Sequence, residues 1–248
     1  MLEFRNVAFS YRRGINVFDR LSVKFTGRST ALLGPNGAGK STLFGLASTS
    51  LRPASGEIFL GDVSAKTSSG RRAFKRSVGW LPQDVESVSG LKVREQVAFA
   101  GWLKGLSKAE SWESSAVAVE RAGLTKFASR YSRDLSGGQL RRLGIAETLV
   151  FDAEVVLLDE PMAGLDPEQR SGLRRVIREV SENSRLVVST HITDDLQELY
   201  DEVIVLSEGI IYYSGPVSEF LSIASDESDI SRRAETAYVR LLSGQPVS

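Results

Sequence analysis

Cysteine is absent from the 248 residues of this chain. Without thiolates the chain can form no disulfide, no cysteine-ligated iron–sulfur cluster and no thiolate zinc site. The absence gives no indication of the redox compartment. An excess of one charge is also missing, since 31 Lys and Arg residues balance 31 Asp and Glu residues. A neutral balance gives no support to a nucleic-acid-binding protein, which normally presents a basic face, so we expect no nucleic-acid partner.

Long apolar runs are missing as well, because no stretch approaches the ~18–20 residues that cross a bilayer. The first residues, MLEFR, contain no apolar core of a secretory signal. We therefore expect a protein that is made and kept in the cytoplasm. The composition, 42% hydrophobic and 25% charged, is that of a globular chain with room for one large domain or two small ones.

Short apolar runs alternate with helical patterns along most of the chain. Strands are predicted at 21–26, 30–33, 57–60, 78–81, 155–158, 186–189, 203–206 and 210–213. Helices are predicted at 41–47, 93–102, 107–122, 138–150, 166–180 and 193–199. Ser107 with Glu110 fits a capping box, and Asp166 followed by Pro167 fits a helix cap. Strand–helix–strand alternation predicts an α/β fold with a mostly parallel core sheet and helices on both faces.

A helical block at about 84–134 separates the first predicted strands from the second alternating region. We interpret this block as an inserted α-helical subdomain. Beyond Ala224 the chain turns polar and then weakly helical. We therefore expect one main domain at 1–223 and a C-terminal tail at 224–248, to which the sequence assigns no role.

The stretch GPNGAGKST at 34–42 lies between a predicted buried strand and a predicted helix. It fits Gly-x-x-x-x-Gly-Lys-Ser/Thr, in which backbone amides surround phosphate oxygens at a helix N-terminus. The helix dipole contributes only ~0.3–1 kcal/mol, whereas a hydrogen bond to a charged group is worth about 1.5–3 kcal/mol. Several amides and Lys40 must therefore carry the binding. Lys40 would reach the β- and γ-phosphates, and the Ser41 hydroxyl would ligate Mg²⁺.

The alternative is a glycine-rich turn that only joins strand to helix. The strand–helix context favours the phosphate site. We expect the nucleotide to be held by the whole stretch: Gly34, Pro35, Asn36, Gly37, Ala38, Gly39, Lys40, Ser41 and Thr42.

Two carboxylates, Asp159 and Glu160, end the apolar run at 155–158. Ligand sites in open parallel sheets lie beyond the carboxyl ends of the strands. Asp159 is therefore expected to face Mg²⁺ through water, and Glu160 to face an attacking water. A solvated acidic strand end is the alternative, and the phosphate stretch upstream favours the catalytic interpretation.

A second glycine-rich helix start, LSGGQ, lies at 135–139. A capping serine followed by two glycines can simply begin a helix. One triphosphate, however, does not need two such cradles from one chain. The economical interpretation is that this segment serves a second copy of the protein.

With these residues the sequence strongly resembles the ATP-binding subunits of ABC transporters, over about 2–216. The matching segments follow the family's order: 34–41 resembles the Walker A motif, Gln83 the Q-loop, 135–139 the signature motif, 155–161 the Walker B motif, 164–166 the D-loop and His191 the switch histidine. Leu140 and Arg28 depart from the usual family residues at positions without a catalytic role.

The resemblance implies a P-loop NTPase fold with an N-terminal antiparallel β subdomain. It also implies a head-to-tail homodimer or heterodimer of ATPase subunits, with two ATP molecules and their Mg²⁺ at the interface. Each ATP would be held by the Walker A segment of one subunit and the signature motif of the other. The signature contacts and the link across the interface would come from Ser136, Gly137, Gly138, Gln139 and Asp166.

Four more roles are implied by the resemblance. Glu160 would be the general base or water-orienting residue, and Gln83 would sense Mg²⁺ and its water. His191, the only histidine in the chain, would contact the γ-phosphate, although a lone histidine is more often structural. Tyr11 stands where the family places an aromatic ring under adenine, and an ordinary strand-end tyrosine is the alternative.

The leading functional interpretation is ATP hydrolysis that drives a separate integral-membrane permease from the cytoplasmic face of the cell membrane. The stretch GLDP at 164–167 is frequent in drug and lipid exporters, and elsewhere, and favours export. The alternatives are a soluble ABC ATPase such as an assembly factor, and a nucleotide-gated interaction module with little turnover. Five residues are candidates either for permease docking or for the helical block's own core: Val88, Leu91, Val97, Phe99 and Trp102.

Overall fold

The computed structural model describes residues 1–12, 14–191, 195–225, 227 and 229–243. The strands are β1 (Leu2–Arg12), β2 (Ile15–Phe25), β3 (Ser29–Leu33), β4 (Ser55–Leu60), β5 (Val63–Ser64), β6 (Val78–Leu81), β7 (Val155–Asp159), β8 (Arg185–Thr190), β9 (Glu202–Ser207) and β10 (Ile210–Pro216). The α-helices are α1 (Lys40–Ala47), α2 (Ser68–Ser77), α3 (Val93–Leu103), α4 (Lys108–Arg121), α5 (Gly137–Leu149), α6 (Pro167–Asn183), α7 (Leu196–Leu199), α8 (Val217–Ser222) and α9 (Ile230–Ser243). The chain divides into two compact units, Met1–Phe74 with Val187–Ser248, and Lys75–Leu186.

The N-terminal part of the first unit is an antiparallel sheet with the strand order β2-β1-β4-β5. The buried apolar side chains of β1 are Leu2, Phe4, Val7 and Phe9. Their alternation slips by one residue at Asn6, where φ is +50° and the pairing with β2 changes register. This slip breaks the period-2 pattern of a strand, and β1 is accordingly not among the predicted strands.

The remaining strands of the first unit follow the order β10-β9-β3-β8. β3 runs parallel to β9, with Thr30 opposite Glu202 and Leu33 opposite Val205, and β9 is antiparallel to β10. Every residue of β3 is buried, as in a central parallel strand. The chain therefore leaves the carboxyl end of a fixed strand directly into the loop before α1.

The second unit contains a parallel pair of strands, β6 and β7, from Val78 opposite Val155 to Leu81 opposite Leu158. β7 is buried along its whole length. α3 contacts both α4 and α5. Between β6 and α5, where every residue is described, the chain forms helices, 3-10 turns and loops, with a single isolated bridge between Lys92 and Tyr131.

These pairings confirm the predicted α/β class, with an antiparallel N-terminal sheet and parallel pairing in the core. The predicted helix caps are confirmed as well. Ser107 Oγ accepts a hydrogen bond from Glu110 N at 3.2 Å, and the Glu110 carboxylate accepts one from Ser107 N at 2.8 Å. Asp166 accepts a hydrogen bond from Gln169 N at 2.8 Å, and Pro167 is the first residue of α6.

Several elements differ from the predictions. β2 begins at Ile15, well before the predicted start at Leu21. The prediction missed the first part of this strand because most of its residues are not buried and give no clear in-and-out alternation. α2 was not predicted, since only Gly70 and Phe74 of this helix are buried. Of the predicted helix at 193–199, α7 is described, while 193 and 194 lie outside the described residues. None of the described helices has both the length and the apolarity to cross a membrane.

Candidate functional site

The predicted phosphate loop (34–42) joins β3 to α1 in the first unit. A Cβ on Gly34 would lie 2.2 Å from the backbone oxygen of Leu206 in β9, so only glycine fits there. Gly39, the N-cap of α1, has a φ of +106°, and a Cβ there would also meet the Phe18 ring at 2.9 Å. The loop is therefore pressed against β9 at one end and against β2 of the antiparallel sheet at the other, and its path depends on glycine.

Lys40 lies along the inside of this loop. Its side chain is buried, and Nζ donates hydrogen bonds to the carbonyl oxygens of Gly34 at 2.6 Å and Pro35 at 3.2 Å. The ammonium group is thus pre-positioned by loop carbonyls at the start of α1. No other side chain of the loop brings a positive charge to this place.

The outer side of the loop is open. Pro35, Asn36, Gly37 and Ser41 are exposed, and Gly37 has a φ of +83° with nothing within 4 Å of an added Cβ. A loop of this shape leaves backbone amides and the first turn of α1 accessible, as a polyphosphate requires. The Ser41 hydroxyl at the same place is an oxygen ligand of the kind that Mg²⁺ prefers. The residues present therefore fit a nucleotide triphosphate with Mg²⁺.

Tyr11, the predicted adenine contact, is tied to the phosphate loop. Its hydroxyl is 3.1 Å from the Thr42 Oγ1 at the start of α1. The ring of Phe9 packs edge-on against the ring of Tyr11, with the centroids 4.9 Å apart, and Tyr11 is 59% exposed. The structure thus brings Tyr11 and the phosphate loop together. His191 follows β8 and is exposed, and 192–194 after it lie outside the described residues.

Asp159 and Glu160 lie at the end of β7 in the second unit. Both are buried, at 1% and 8% exposure. Glu160 has a φ of +48°, a conformation that costs a non-glycine residue on the order of 1–3 kcal/mol. Its carbonyl oxygen accepts a hydrogen bond from Ala163 N at 3.1 Å. The chain therefore turns sharply directly after β7.

Gln83, the predicted Q-loop residue, is exposed two residues after β6. Its carbonyl oxygen accepts a hydrogen bond from Arg141 Nη1 in α5, and the Pro82 oxygen accepts another at 3.2 Å. Burial lowers the pKa of Arg141, while the charges of Asp84, Asp159 and Glu160 raise it. Arg141 thus connects the predicted Q-loop electrostatically to the two acids. Sequence reasoning missed it, because no local pattern marks an arginine that bonds a distant backbone.

The predicted signature segment (135–139) opens α5. Ser136 is the N-cap, and its Oγ accepts a hydrogen bond from Gln139 N at 3.4 Å, while Ser136 N donates to Gln139 Oε1 at 3.1 Å. Ser136 and Gly137 are exposed, and an added Cβ on Gly137 would meet nothing within 4 Å. Gly138 is buried, with Gln169 Oε1 2.8 Å from an added Cβ. The segment is therefore a preformed helix N-terminus with an open outer side.

Asp166, the exposed N-cap of α6, accepts a hydrogen bond from the amide of Gln169. The side chain of Gln169 lies against Gly138, so Asp166 is close to the signature segment. Within the second unit the structure thus brings the predicted signature and D-loop residues together.

A family model for ABC transporters matches residues 19–163, more than half of the chain. The chain belongs to the ABC transporter ATPase family. It is 34% identical to a putative ABC transporter ATP-binding protein of Pyrococcus abyssi over 225 residues, which cover 90% of this chain and 86% of that protein. As a member of this family the chain is an ATP-binding protein and an ATPase.

Many solved structures resemble this ABC ATPase, among them the following two. One is cbiO1 from Clostridium perfringens, described as part of the ABC transporter complex cbiONQ, with a TM-score of 0.77, 28% identity and coverage of 95% of this chain and 97% of that one. The other is the ATP-binding cassette MJ0796 in a dimeric post-hydrolysis state with ADP and Pi, with a TM-score of 0.77, 21% identity and coverage of 88% and 99%. The second likeness shows the fold alone, that of the ATP-binding cassettes and hence of P-loop NTPases.

Of the residues considered for permease docking in this ABC ATPase, Val88, Phe99 and Trp102 are exposed, and Leu91 is half-buried. Val97 is fully buried, which excludes it from a docking surface and supports the alternative that it belongs to the helical block's own core. The Phe99 and Trp102 rings stack with their centroids 5.9 Å apart. An exposed aromatic pair thus remains on α3.

A hydrogen-bonded pair in the second unit, buried Gln96 and half-buried Glu147, was also missed from the sequence. Gln96 of α3 is buried, and its Nε2 donates to the Glu147 carboxylate of α5 at 2.7 Å and to the Glu86 oxygen at 3.0 Å. Its Oε1 accepts a hydrogen bond from Val88 N at 2.8 Å. Burial raises the pKa of Glu147 to about 7.

Proposed function

We propose that this ABC ATPase works as a head-to-tail homodimer or heterodimer that hydrolyses ATP with Mg²⁺ and thereby drives a separate integral-membrane permease. The observation that carries the proposal is the presence of two open, glycine-rich helix starts, one before α1 and one at α5. Each leaves an exposed glycine, Gly37 or Gly137, with nothing within 4 Å of an added Cβ. One nucleotide needs one such cradle, so the second is available to the nucleotide of another subunit.

The first cradle would bind the subunit's own ATP. The phosphate loop (34–42) supplies backbone amides, and Lys40 supplies a cation that loop carbonyls already hold in place. Ser41, Asp159 and Gln83 would hold Mg²⁺, directly or through water. When bound, Mg²⁺ neutralises negative charge on the phosphate oxygens. Tyr11 would stack under the adenine, since its ring is exposed beside the start of α1.

Glu160 would orient and deprotonate the attacking water. It is a buried carboxylate on a tight turn with a positive φ. A strained, buried position of this kind holds a functional side chain in one direction. His191 would contact the γ-phosphate from the exposed end of β8.

The second cradle would bind the ATP of the partner. Ser136 and Gly137 are exposed, and the capping box between Ser136 and Gln139 fixes the first turn of α5. Gly138 leaves room for Gln169, three residues after Asp166. A displacement of Asp166 at the dimer interface would therefore be transmitted through Gln169 to the signature segment of the same unit. The MJ0796 cassette, which has the same fold, is described as a dimer with ADP and Pi, and we propose that this chain also forms a dimer.

The permease would dock on the exposed aromatic pair Phe99 and Trp102 and on Val88. The subunit would then lie on the cytoplasmic face of the cell membrane. The description of cbiO1 as part of a transporter complex supports a separate permease. Export remains the predicted direction, on the GLDP stretch at 164–167. We also propose the domain limits predicted above, 1–223 with the insertion at about 84–134, and the tail at 224–248.

Gel filtration with saturating ATP and Mg²⁺ tests the shared site. Glu160→Gln keeps the binding residues and removes the base, so we expect it to accumulate an ATP-dependent dimer. Lys40→Ala should stay monomeric and bind no ATP. Glu113→Gln, at an exposed position of α4, is the matched control and should behave like the unchanged protein. A Glu160→Gln protein that stays monomeric while binding ATP would contradict the head-to-tail mechanism.

A further inference from the structure

Helix α5, which begins at the signature segment, also holds the chain around Gln83. Arg141 lies in the second turn of α5, and its Nη1 donates hydrogen bonds to two successive carbonyl oxygens, those of Pro82 and Gln83. The partners are 59 and 58 residues away in sequence. A guanidinium that binds two backbone oxygens fixes their position more strictly than a single neutral hydrogen bond would.

The same helix packs tightly against the segment 81–88 one turn further on. A Cβ on Gly144 would lie 2.3 Å from Leu81 Cδ1 and 3.0 Å from Val85 Cγ2. Leu81 and Val85, on either side of Gln83, are therefore in close contact with α5. The segment 81–88 cannot move toward α5, and Arg141 opposes its movement away.

A third attachment lies beyond this contact. Gln96 links the Glu147 carboxylate of α5 to the backbone of Glu86 and Val88 through three hydrogen bonds of 2.7, 3.0 and 2.8 Å. Over three successive turns, α5 is thus attached to the segment 81–88 on both sides of Gln83. Only the Arg141 attachment reaches Gln83 itself.

Arg141 also carries charge into this part of the molecule. Its guanidinium interacts electrostatically with Asp84, next to Gln83, and with Asp159 and Glu160 at the end of β7. A cation among three carboxylates offsets their mutual repulsion. The same side chain therefore influences the backbone of Gln83 and the electrostatics of the two acids.

We propose that Arg141 is a positioning residue that fixes Gln83 relative to the signature helix α5. Its guanidinium makes the signature segment and the Gln83 backbone move as one body, so that a nucleotide engaged by Ser136–Gln139 of one subunit changes the position of that subunit's own Gln83. This inference rests on the proposed function and deepens it. Arg141 touches no nucleotide in this scheme and acts through Gln83 and the two acids.

Amide hydrogen exchange tests the attachment without any nucleotide. In Arg141→Met we expect the peptide covering 82–90 to exchange at least about tenfold faster than in the unchanged protein, because its backbone anchors are lost. Arg141→Lys, which keeps the charge without the planar fork, should give an intermediate rate. The control is Arg121→Met, which removes a half-buried arginine ion-paired with Glu179 at 3.0 Å elsewhere in the same unit. Unchanged exchange at 82–90 in Arg141→Met, or the same acceleration in the control, would overturn the proposal.

Steady-state ATPase kinetics at fixed protein concentration test the consequence. Misplacement of a positioned group by about 1 Å can cost on the order of 10²-fold. We therefore expect kcat to fall at least about tenfold in Arg141→Met, with KM for ATP within about twofold and partial recovery in Arg141→Lys. A kcat within about twofold of the unchanged protein would refute the positioning role, as would equal changes of kcat and KM.

The hydrogen-exchange and ATPase experiments distinguish failure of the proposed role of Arg141 from failure of the proposed function. If the unchanged protein hydrolysed no ATP, the proposed function would fail, and the exchange rates would still decide whether Arg141 holds Gln83. If Arg141→Met does not fold, Arg141→Lys decides in both assays, and normal exchange together with normal kcat in that variant would overturn the proposal.

Discussion

Replacement of Glu147 by glutamine should remove a pH dependence of stability that this one carboxyl creates. Glu147 lies on α5, where its carboxylate accepts a hydrogen bond from Gln96 Nε2 at 2.7 Å. Burial raises its pKa from 4.5 to about 7, and the hydrogen bond from Gln96 opposes this shift only in part. The folded protein therefore keeps a proton that the unfolded chain releases at lower pH. Between pH 4.5 and 7 the contribution of Glu147 to the free energy of unfolding must therefore fall as the pH rises.

The size of the effect follows from the two pKa values. The two pKa values differ by about 2.5 (7 minus 4.5), and a difference of one pKa unit corresponds to about 1.4 kcal/mol. The free energy of unfolding should thus fall by up to about 3 kcal/mol across this range because of Glu147 alone. In a domain of this size 1 kcal/mol shifts the melting temperature by about 2–4 °C. Glu147→Gln, which has the same shape and does not titrate, should therefore melt about 6–12 °C higher than the unchanged protein above pH 7.

Scanning calorimetry at a series of pH values from about 4.5 to 8 measures this difference. We expect the melting temperatures of Glu147→Gln and the unchanged protein to converge at the acidic end, to separate as the pH rises to about 7, and to differ by a constant amount above that pH. Glu113→Gln removes an exposed carboxylate from α4 and is the matched control. If the difference between Glu147→Gln and the unchanged protein stays constant with pH, or if the control shows the same divergence, the reasoning is refuted.

Three other substitutions have defined outcomes. Gly34→Ala places a Cβ 2.2 Å from the Leu206 oxygen, so we expect a loss of about 1–3 kcal/mol in urea unfolding and weakened ATP binding in calorimetry, and normal ATP affinity would contradict this. Burial lowers the pKa of Lys104 from 10.5 to about 8, so the unfolded state binds more protons between these values and stability should rise with pH there. Lys104→Met should abolish that rise in thermal melts, and a slope that persists would exclude Lys104 as its source. Trp102→Ala should reduce co-purification with the membrane permease in detergent, whereas Trp112→Ala, also exposed, should not, and equal retention by both would exclude docking at Trp102.

Much of the fold and of the candidate site was predictable because the sequence patterns that mark them are local. The caps at Ser107, Ser136 and Asp166 each pair a side chain with an amide three residues away, and all three are observed. The buried strand β7 stands out as an apolar run that ends in a carboxylate, and β3 ends in the apolar run 31–33 directly before the glycine-rich loop. β1 escaped prediction because a single residue, Asn6, shifts its alternation midway. A local pattern reveals an element only when that pattern is uninterrupted.

The amino-acid sequence by itself determined the chemistry of the phosphate loop, the acidic strand end and the capping geometry of α5, since each is set by neighbours within a few residues. Only the tertiary structure decided that Arg141 holds the backbone of Gln83 and that Gln96 meets Glu147, partners that are 58 and 51 residues apart. It also decided that Val97 is core while Phe99 is exposed, although both lie on α3. Contacts of this kind depend on which faces the helices bury against one another, and packing of the whole unit, rather than any short run of residues, determines those faces.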